Sequence, residues 1–274
     1  MGLFSRRSRA QEPDGTDEGA DASPPGPGPG VRNDRVREAL ATWAERKDAL
    51  TFADVLRRAV SGELLLDVTD SRLADPDRGF QQGDTLAIAS IRDNAGADLL
   101  VAFTGHDELQ RMRQDAGRSL VQPAAAVLAQ ALRDHQGIVV DGRSPGAFIA
   151  YAEEIRAHLT DDPETVVRLT DVTVARTLPF GQYVEALADG PLFAPVDPDV
   201  ADGSAGPAAT GPDGGAYTVV GTSPAEVWAW RPGGEVRRVA FADVAAATRA
   251  AGRAGVVVNP ARPAVVVPTG ALPV

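Results

Sequence analysis

Residues 50–68 read LTFADVLRRAVSGELLLDV, and residues 178–196 read LPFGQYVEALADGPLFAPV. A constant shift of 128 pairs Leu50 with Leu178, Phe52 with Phe180, Gly62 with Gly190 and Val68 with Val196. Further on, GIVVDGRSPGAFI (137–149) matches GVVVNPARPAVVV (255–267) without a gap, at a shift of 118. An internal repeat of this length marks two copies of one module. In the first copy Phe52, Val55, Leu56 and Ala59 fall on one helical face, and in the second Phe180, Tyr183, Val184 and Leu187 do. Thr51 is read as the helix cap, with Asp54 three residues on. Pro179 suits the first turn of the second helix. Gly62 and Gly190 follow as left-handed stops. Each helix then runs into a short apolar strand, 64–68 and 192–196.

Outward from these stretches, Val36, Leu40 and Trp43 suit a short helix capped by Asn33 or Asp34. A hairpin is expected around DNAG (93–96), with Leu99, Val101 and Phe103 on one strand face. Thr104 is read as the cap of a helix over 105–114, and Pro123 opens another. In the second copy 227–230 is read as a strand, with Trp228 and Trp230 taking the places of Val101 and Phe103. The helix over 105–114 then has no counterpart, and RPGGEVRR (231–238) supplies a tight turn. A helix over 241–251 follows. Each copy closes with strand, turn, strand. The expected class is α+β: two tandem modules, each a small mixed or antiparallel sheet with two to three packed helices. Residues 1–32 form a disordered tail, because 10–30 are acidic and then Pro/Gly-rich. The first module spans 33–160, 161–177 is a linker, and the second module spans 178–274. The loop 71–84 is matched in the second copy by a longer, Gly/Pro-rich and flexible one, 197–215.

Composition narrows the function. The 274-residue chain carries a formal net charge of −11, and of its 27 Lys and Arg residues only Lys47 is a lysine. An acidic chain without a basic run is a poor match for nucleic acid. With no cysteine, disulfides and thiolate metal sites are excluded. No apolar run reaches the ~20 residues that span a bilayer, so stable membrane insertion is not expected. MGLFSRRSRA lacks the apolar stretch of a signal peptide, and a cytoplasmic location is expected. The usage of Arg over Lys points to a GC-rich bacterial genome.

No residue qualifies as catalytic, cofactor-binding or metal-ligating. Gly142-Arg143-Ser144-Pro145-Gly146 spells G-x-S-x-G, but a nucleophile elbow needs the next residue's N–H for its oxyanion hole, and Pro145 has none. A serine hydrolase using Ser144 is the least favoured reading. His106, Asp107 and Glu108 are adjacent, so on a helix they point apart and make a poor metal set. His135 and His158 show no partner in sequence. Glu153/Glu154 and Asp161/Asp162 lie in polar stretches, where no apolar pocket raises a carboxyl pKa. The Gly-rich 203–215 lacks a P-loop lysine. Trp228 and Trp230 read as core rather than as a binding platform.

The string LLVAFTGHDELQRM, the helix after SLVQP, and GIVVDGRSP resemble the SseB protein N-terminal domain family, whose members close on a "VVNP" signature matched here by Val258-Asn259-Pro260. The likeness covers about 50–155 and 178–272, with the second copy degenerate. It implies an α+β fold, a name drawn from enhanced serine sensitivity, a mention in type III secretion, and no agreed catalytic residues. The expected function is therefore a non-enzymatic adaptor or regulator with a protein partner and no cofactor, its duplicated strand edges able to pair. The two modules are expected to pack as an intrachain pseudo-dimer. The alternatives are an amino-acid-binding regulator and a type III secretion-associated protein. An ancestral binding role would sit in residues 99–114.

Overall fold

The computed structural model describes residues 31–72, 74, 85–113, 117–160, 163–197, 206–211, 213–261 and 264–273. The expected tail (except Val31 and Arg32), most of the 71–84 loop, and the pair Asp161/Asp162 lie outside the described residues.

Helix α1 (Asp34–Glu45) starts at Asn33, whose side chain accepts from the Val36 N–H at 3.3 Å. Its apolar face buries Val36, Ala39 and Leu40 against α2 (Ala49–Ala59). The cap of α2 is Asp48, not Thr51. The Asp48 carboxylate accepts from the Thr51 N–H at 2.9 Å, and Thr51 Oγ1 accepts from the Asp48 N–H at 3.2 Å. This reciprocal pair starts the helix earlier than the hydrophobic face alone suggests. Gly62 ends the first copy's helix region with φ +80°, as a left-handed residue should. Gly190 does not share that conformation. Its φ is −92°, and a Cβ there would sit 2.6 Å from Leu169 Cδ2, so close packing explains the glycine.

Strands β1 (Glu63–Asp67), β2 (Ser90–Arg92), β3 (Asp98–Phe103), β4 (Ser119–Pro123), β5 (Gly137–Val140) and β6 (Phe148–Tyr151) form one sheet. Its order is β4-β1-β3-β5-β6, with β2 beside β3, and only β3–β5 pair in parallel. Strand alternation sends Leu64, Leu66, Leu100, Ala102, Ile138 and Val140 to one core. There they meet α1, α2, α4 (Ala124–Asp134) and α5 (Ala152–Leu159). Leu65, Leu99, Val101, Phe103 and Val139 face the other way, onto Leu109 of α3 (His106–Arg113). Each fully buried large apolar side chain contributes roughly 1.5–3 kcal/mol.

The second half runs α6 (Pro163–Ala175), α7 (Phe180–Asp189), β7 (Leu192–Pro195), β8 (Ala208–Thr210), β9 (Ala216–Val220), α8 (Pro224–Trp230), β10 (Val236–Val239), α9 (Phe241–Ala250), β11 (Gly255–Val258) and β12 (Val265–Pro268), closing on a short 3-10 turn at Thr269–Ala271. Its strands lie in the orders β10-β7 and β12-β11-β9-β8, and a single bridge, Phe193 to Gly221, joins the two sets. That bridge matches Leu65–Phe103 in the first half under both sequence shifts, so the sheets correspond strand for strand.

Several expectations are corrected here. Residues 227–230 are not a strand. They end helix α8, the counterpart of α3, so the second copy keeps every element between its opening helix and closing hairpin. Ser223 caps α8 by accepting from the Glu226 N–H at 3.3 Å, and Pro224 takes the first position. The closing hairpins also do not align without a gap. Gly137 pairs with Tyr151 but Gly255 with Pro268, which makes the second turn one residue shorter. The stretch expected as a linker contains α6, whose Val166 enters the first core and Leu169 the second. The described part of 197–215 includes β8.

One interaction is built twice. In the first half the Thr104 N–H donates to Asp141 Oδ1 at 2.9 Å, and its Oγ1 donates to Asp141 Oδ2 at 2.6 Å. In the second the Thr222 N–H donates to Asn259 Oδ1 at 2.9 Å, and Asn259 Nδ2 donates to Thr222 Oγ1 at 3.0 Å. Thr104 is thus turned toward Asp141 rather than capping α3. Asp141 and Asn259 both adopt left-handed φ values, 49° and 55°, which Asp and Asn tolerate best after glycine. Each clamp ties the end of a central strand to the turn after its parallel neighbour. Burial pushes the Asp141 carboxyl up to about 6, against the pull of Thr104. Replacing Asp141 or Asn259 by Ala leaves a buried threonine N–H unmet and puts a side chain with no local hydrogen bond in left-handed backbone. The expected loss is about 2–4 kcal/mol in urea denaturation, while Asp141→Asn stays within about 1 kcal/mol of wild type. Equal losses for Asp141→Ala and Asp141→Asn would contradict the clamp.

Candidate functional site

The two halves meet where α8 lies on α2. Ala225 joins the first half's core, and Pro224, Glu226 and Val227 are buried beside it. Trp228 stacks edge-on against His158 of α5 at 4.6 Å, and its Nε1 donates to the Gly234 carbonyl at 2.8 Å. His158 in turn meets Phe52 at 5.1 Å, and its imidazole is held below its ordinary pKa by burial. Ser61 Oγ donates to Asp171 of α6 at 2.6 Å, and within the second half the Thr170 and Thr222 hydroxyls lie 2.8 Å apart. The contact joins different surfaces of the repeat, since α8 corresponds to α3 and not to α2. Trp230 packs with Tyr217, Val219 and Val257, so both tryptophans are packing residues, but from a helix.

Beside this junction lies a cleft of about 1060 Å³. One wall comes from the first half: Arg35 and Glu38 of α1, Arg57 and Arg58 of α2. The other comes from the second: Arg176, Phe180 and Tyr183 near the α6–α7 connection, and Val265 and Val266 of β12. Four arginines face one carboxylate, Glu38, within a protein of formal charge −11. Arg57 and Arg58 are balanced by Asp54, Glu38 and Glu226, so the excess positive charge comes from Arg35 and Arg176. Such an excess between low-dielectric walls attracts the opposite charge.

The arginines differ in how they are held. Arg58 is held by Glu38 at 3.0 Å and Asp54 at 3.1 Å, and donates to the Arg35 carbonyl at 3.3 Å. Arg57 pairs with Asp54 and reaches Glu226 at 3.8 Å. Arg176 donates to the Ala264 carbonyl at 3.4 Å and is otherwise exposed. Arg35 is half-buried, lines the cleft and forms no ion pair within 4 Å among the described residues, though its charge acts on the buried Glu226. Tyr183 OH sits 3.0 Å from Thr173 Oγ1, and burial pushes the phenol up to about 12, so it stays neutral at the cleft floor.

The structure scatters the residues that sequence singled out. Ser144 sits in the turn between β5 and β6, where its N–H donates to the Asp141 carbonyl at 2.8 Å; Pro145 is exposed. Asp107 pairs with Arg37, which holds its carboxyl below the ordinary value; His106 Nε2 lies 3.0 Å from Ser119 Oγ. His135 binds Asp98 at 2.7 Å, and Glu154 accepts from the Tyr151 N–H at 2.8 Å to cap α5. Among the described residues no group of three His, Asp or Glu is placed to hold a metal ion, and no helix is long and apolar enough to cross a membrane. None of the described residues of the stretch 99–114 lines the cleft. Sequence reading missed Arg35, Arg57, Arg58 and Arg176 because they come from three separate segments and form no basic run.

Glu226 is the buried charge at the junction. It is 3 % exposed, and its Oε2 accepts no hydrogen bond among the described residues. Burial pushes its carboxyl up to about 7, although Arg57 pulls the other way. A raised carboxyl pKa means that folding favours the protonated form. No penalty falls below the ordinary value near 4.5, and the full penalty applies above about 7. Glu226→Gln is therefore expected to match wild type at pH 4 and to exceed it at pH 8, by at most about 3 kcal/mol. Chemical denaturation at both pH values measures this. A variant less stable than wild type at pH 8 would show that the Arg57 pair outweighs burial.

The family model described as SseB protein N-terminal domain matches residues 36–157 and again 174–272. No curated protein and no solved structure matches the chain. The two matched segments coincide with the two halves of the fold and cover most of the sequence; the chain belongs to the SseB family, as two tandem copies of its N-terminal domain.

Proposed function

We propose that this SseB-family chain is a non-enzymatic adaptor or regulator, and that its two domains work as an intrachain pseudo-dimer whose shared cleft holds an acidic segment of a protein partner. The observation that carries this is the cleft at the junction, with four arginines over an apolar floor of Phe180, Tyr183 and Val265. Guanidinium groups suit carboxylates because their planar forks give paired, charge-assisted hydrogen bonds. The volume, about 1060 Å³, is at or above the upper end for small-ligand pockets, and a free amino acid would leave most of it unfilled. Apolar side chains alternating with carboxylates would use both kinds of wall.

The test is a fluorescence-anisotropy titration of the full chain with a labelled (Glu-Val)5 peptide and its (Lys-Val)5 counterpart. The acidic peptide is expected to bind, more weakly as salt rises, and the basic one is not. Arg35→Glu is expected to weaken the acidic peptide at least tenfold. Because Arg35 also favours the buried Glu226 carboxylate, Arg35→Gln, which removes the charge without reversing it, is the companion variant. It is expected to weaken the peptide with a smaller change in melting temperature. Stabilisation by free amino acids with no peptide binding would replace this reading by that of a small-molecule regulator.

A further inference from the structure

We infer that the acidic partner segment binds as an extended strand added to the open edge of β12, with its carboxylates directed to the arginines of the first half. This rests on the cleft reading above and goes one step further, to the mode of recognition.

Strand β12 ends its sheet, in the order β12-β11-β9-β8. Its pairing with β11 is antiparallel, and the Thr269 N–H donates to the Ala254 carbonyl at 2.9 Å in the same register. In such a ladder the residues that bond to the partner strand alternate. Thr269, Val267 and Val265 therefore spend their backbone groups on β11, and Ala264, Val266 and Pro268 turn theirs outward. The contact from Arg176 agrees, because its guanidinium reaches the Ala264 carbonyl from outside the sheet at 3.4 Å. Pro268 offers a carbonyl but no N–H. The outward Val266 N–H and C=O have no partner in the sheet among the described residues.

That edge faces the cleft. Neighbouring residues of a strand point to opposite faces, and the cleft is lined by both Val265 and Val266, so it meets the strand along its edge. Val265 packs toward the core shared with α7 and α9, whereas Val266 joins the opposite face with Tyr217 and Val257. The equivalent edge residue of the first half, Ile149, is exposed but does not line the cleft. The flanking outward groups are engaged on both edges: Trp43 Nε1 donates to the Ala147 carbonyl at 3.2 Å and the Tyr151 N–H to Glu154, while Arg176 donates to the Ala264 carbonyl and Pro268 has no N–H. The position of Val266 beside the cleft is what sets β12 apart.

An unpaired edge is a template for another chain, and backbone pairing supplies affinity while side-chain sites supply selectivity. Here selectivity is electrostatic. A segment lying on β12 passes the cleft's Arg35 and Arg176, which carry its excess positive charge, so acidic side chains are favoured and basic ones repelled.

The experiment uses the full chain and the (Glu-Val)5 probe, with two further probes N-methylated at every Glu or at every Val. Only one of these sets presents its N–H groups to β12. Methylation of that set is expected to weaken binding at least tenfold, and methylation of the other to leave it within twofold of the parent. Equal effects of the two sets, whether loss or retention, overturn strand addition. If Arg35→Glu still loses the parent peptide in that case, the cleft reading survives alone. Full binding by Arg35→Glu overturns both. A Val266→Pro chain gives an independent readout. It removes an outward N–H and keeps the ladder to β11, so it is expected to melt near wild type and to lose the parent peptide at least tenfold. Unimpaired binding by that variant also overturns the inference.

Discussion

The burial of α8 against α2 is the contact on which the rest of the arrangement depends. It places Ala225 in the first half's core, sets Trp228 against His158, and brings Glu226 to Arg57. Without it α8 would present buried apolar residues to water, and the wall formed by Arg35, Arg57 and Arg58 would have nothing opposite. The junction tolerates one unfavourable element, the buried carboxyl of Glu226. Buried ionic groups seldom add net stability, since desolvation offsets the pairing. Apolar burial, of Ala225 from α8 and Val166 from α6 in the first half's core, is what holds the halves together.

The duplication explains why the two halves share a skeleton and differ in surface. Both keep the threonine-to-Asx clamp that ties the end of a central strand to the turn after its neighbour. In the first half the Asx residue is a carboxylate, and Arg37 stands close, donating to Thr104 Oγ1 at 2.9 Å. In the second it is an amide, which needs no cation, and Thr170 of α6 takes the adjoining place. The helix after the clamped strand diverges in the same sense. HDELQRMR is polar and buries only Leu109, whereas PAEVWAW is apolar and lies under the first half. Sequence divergence has reshaped exteriors, and the order of elements has stayed.

Legibility in the sequence followed the strength of the local pattern. The face of Phe52, Val55, Leu56 and Ala59 and the alternation of Leu99, Val101 and Phe103 belong to long, one-sided elements, and they appear where periodicity places them. Helix α8 was hidden by a two-residue rhythm in Val227, Trp228, Ala229 and Trp230, which mimics a strand. Ser223 with Glu226 three residues later, and Pro224 between them, is the helix-start signal that outweighs it. Strands β4, β8 and β10 are short and half-exposed, with sequences such as SLVQP, AAT and VRRV, so they carry no apolar alternation. The cleft was beyond reach of any linear pattern, because Arg35, Arg57, Arg58 and Arg176 converge only after the halves dock.

The most direct measurement is hydrogen–deuterium exchange of the full chain, read at α8 and compared with the central strands β3 and β9. If α8 is buried by the first half, the amides of Val227 and Trp228 are expected to exchange with them, through the same cooperative opening. Exchange of α8 within seconds, while β3 and β9 stay protected, would contradict a docked pair of domains and with it the cleft they share.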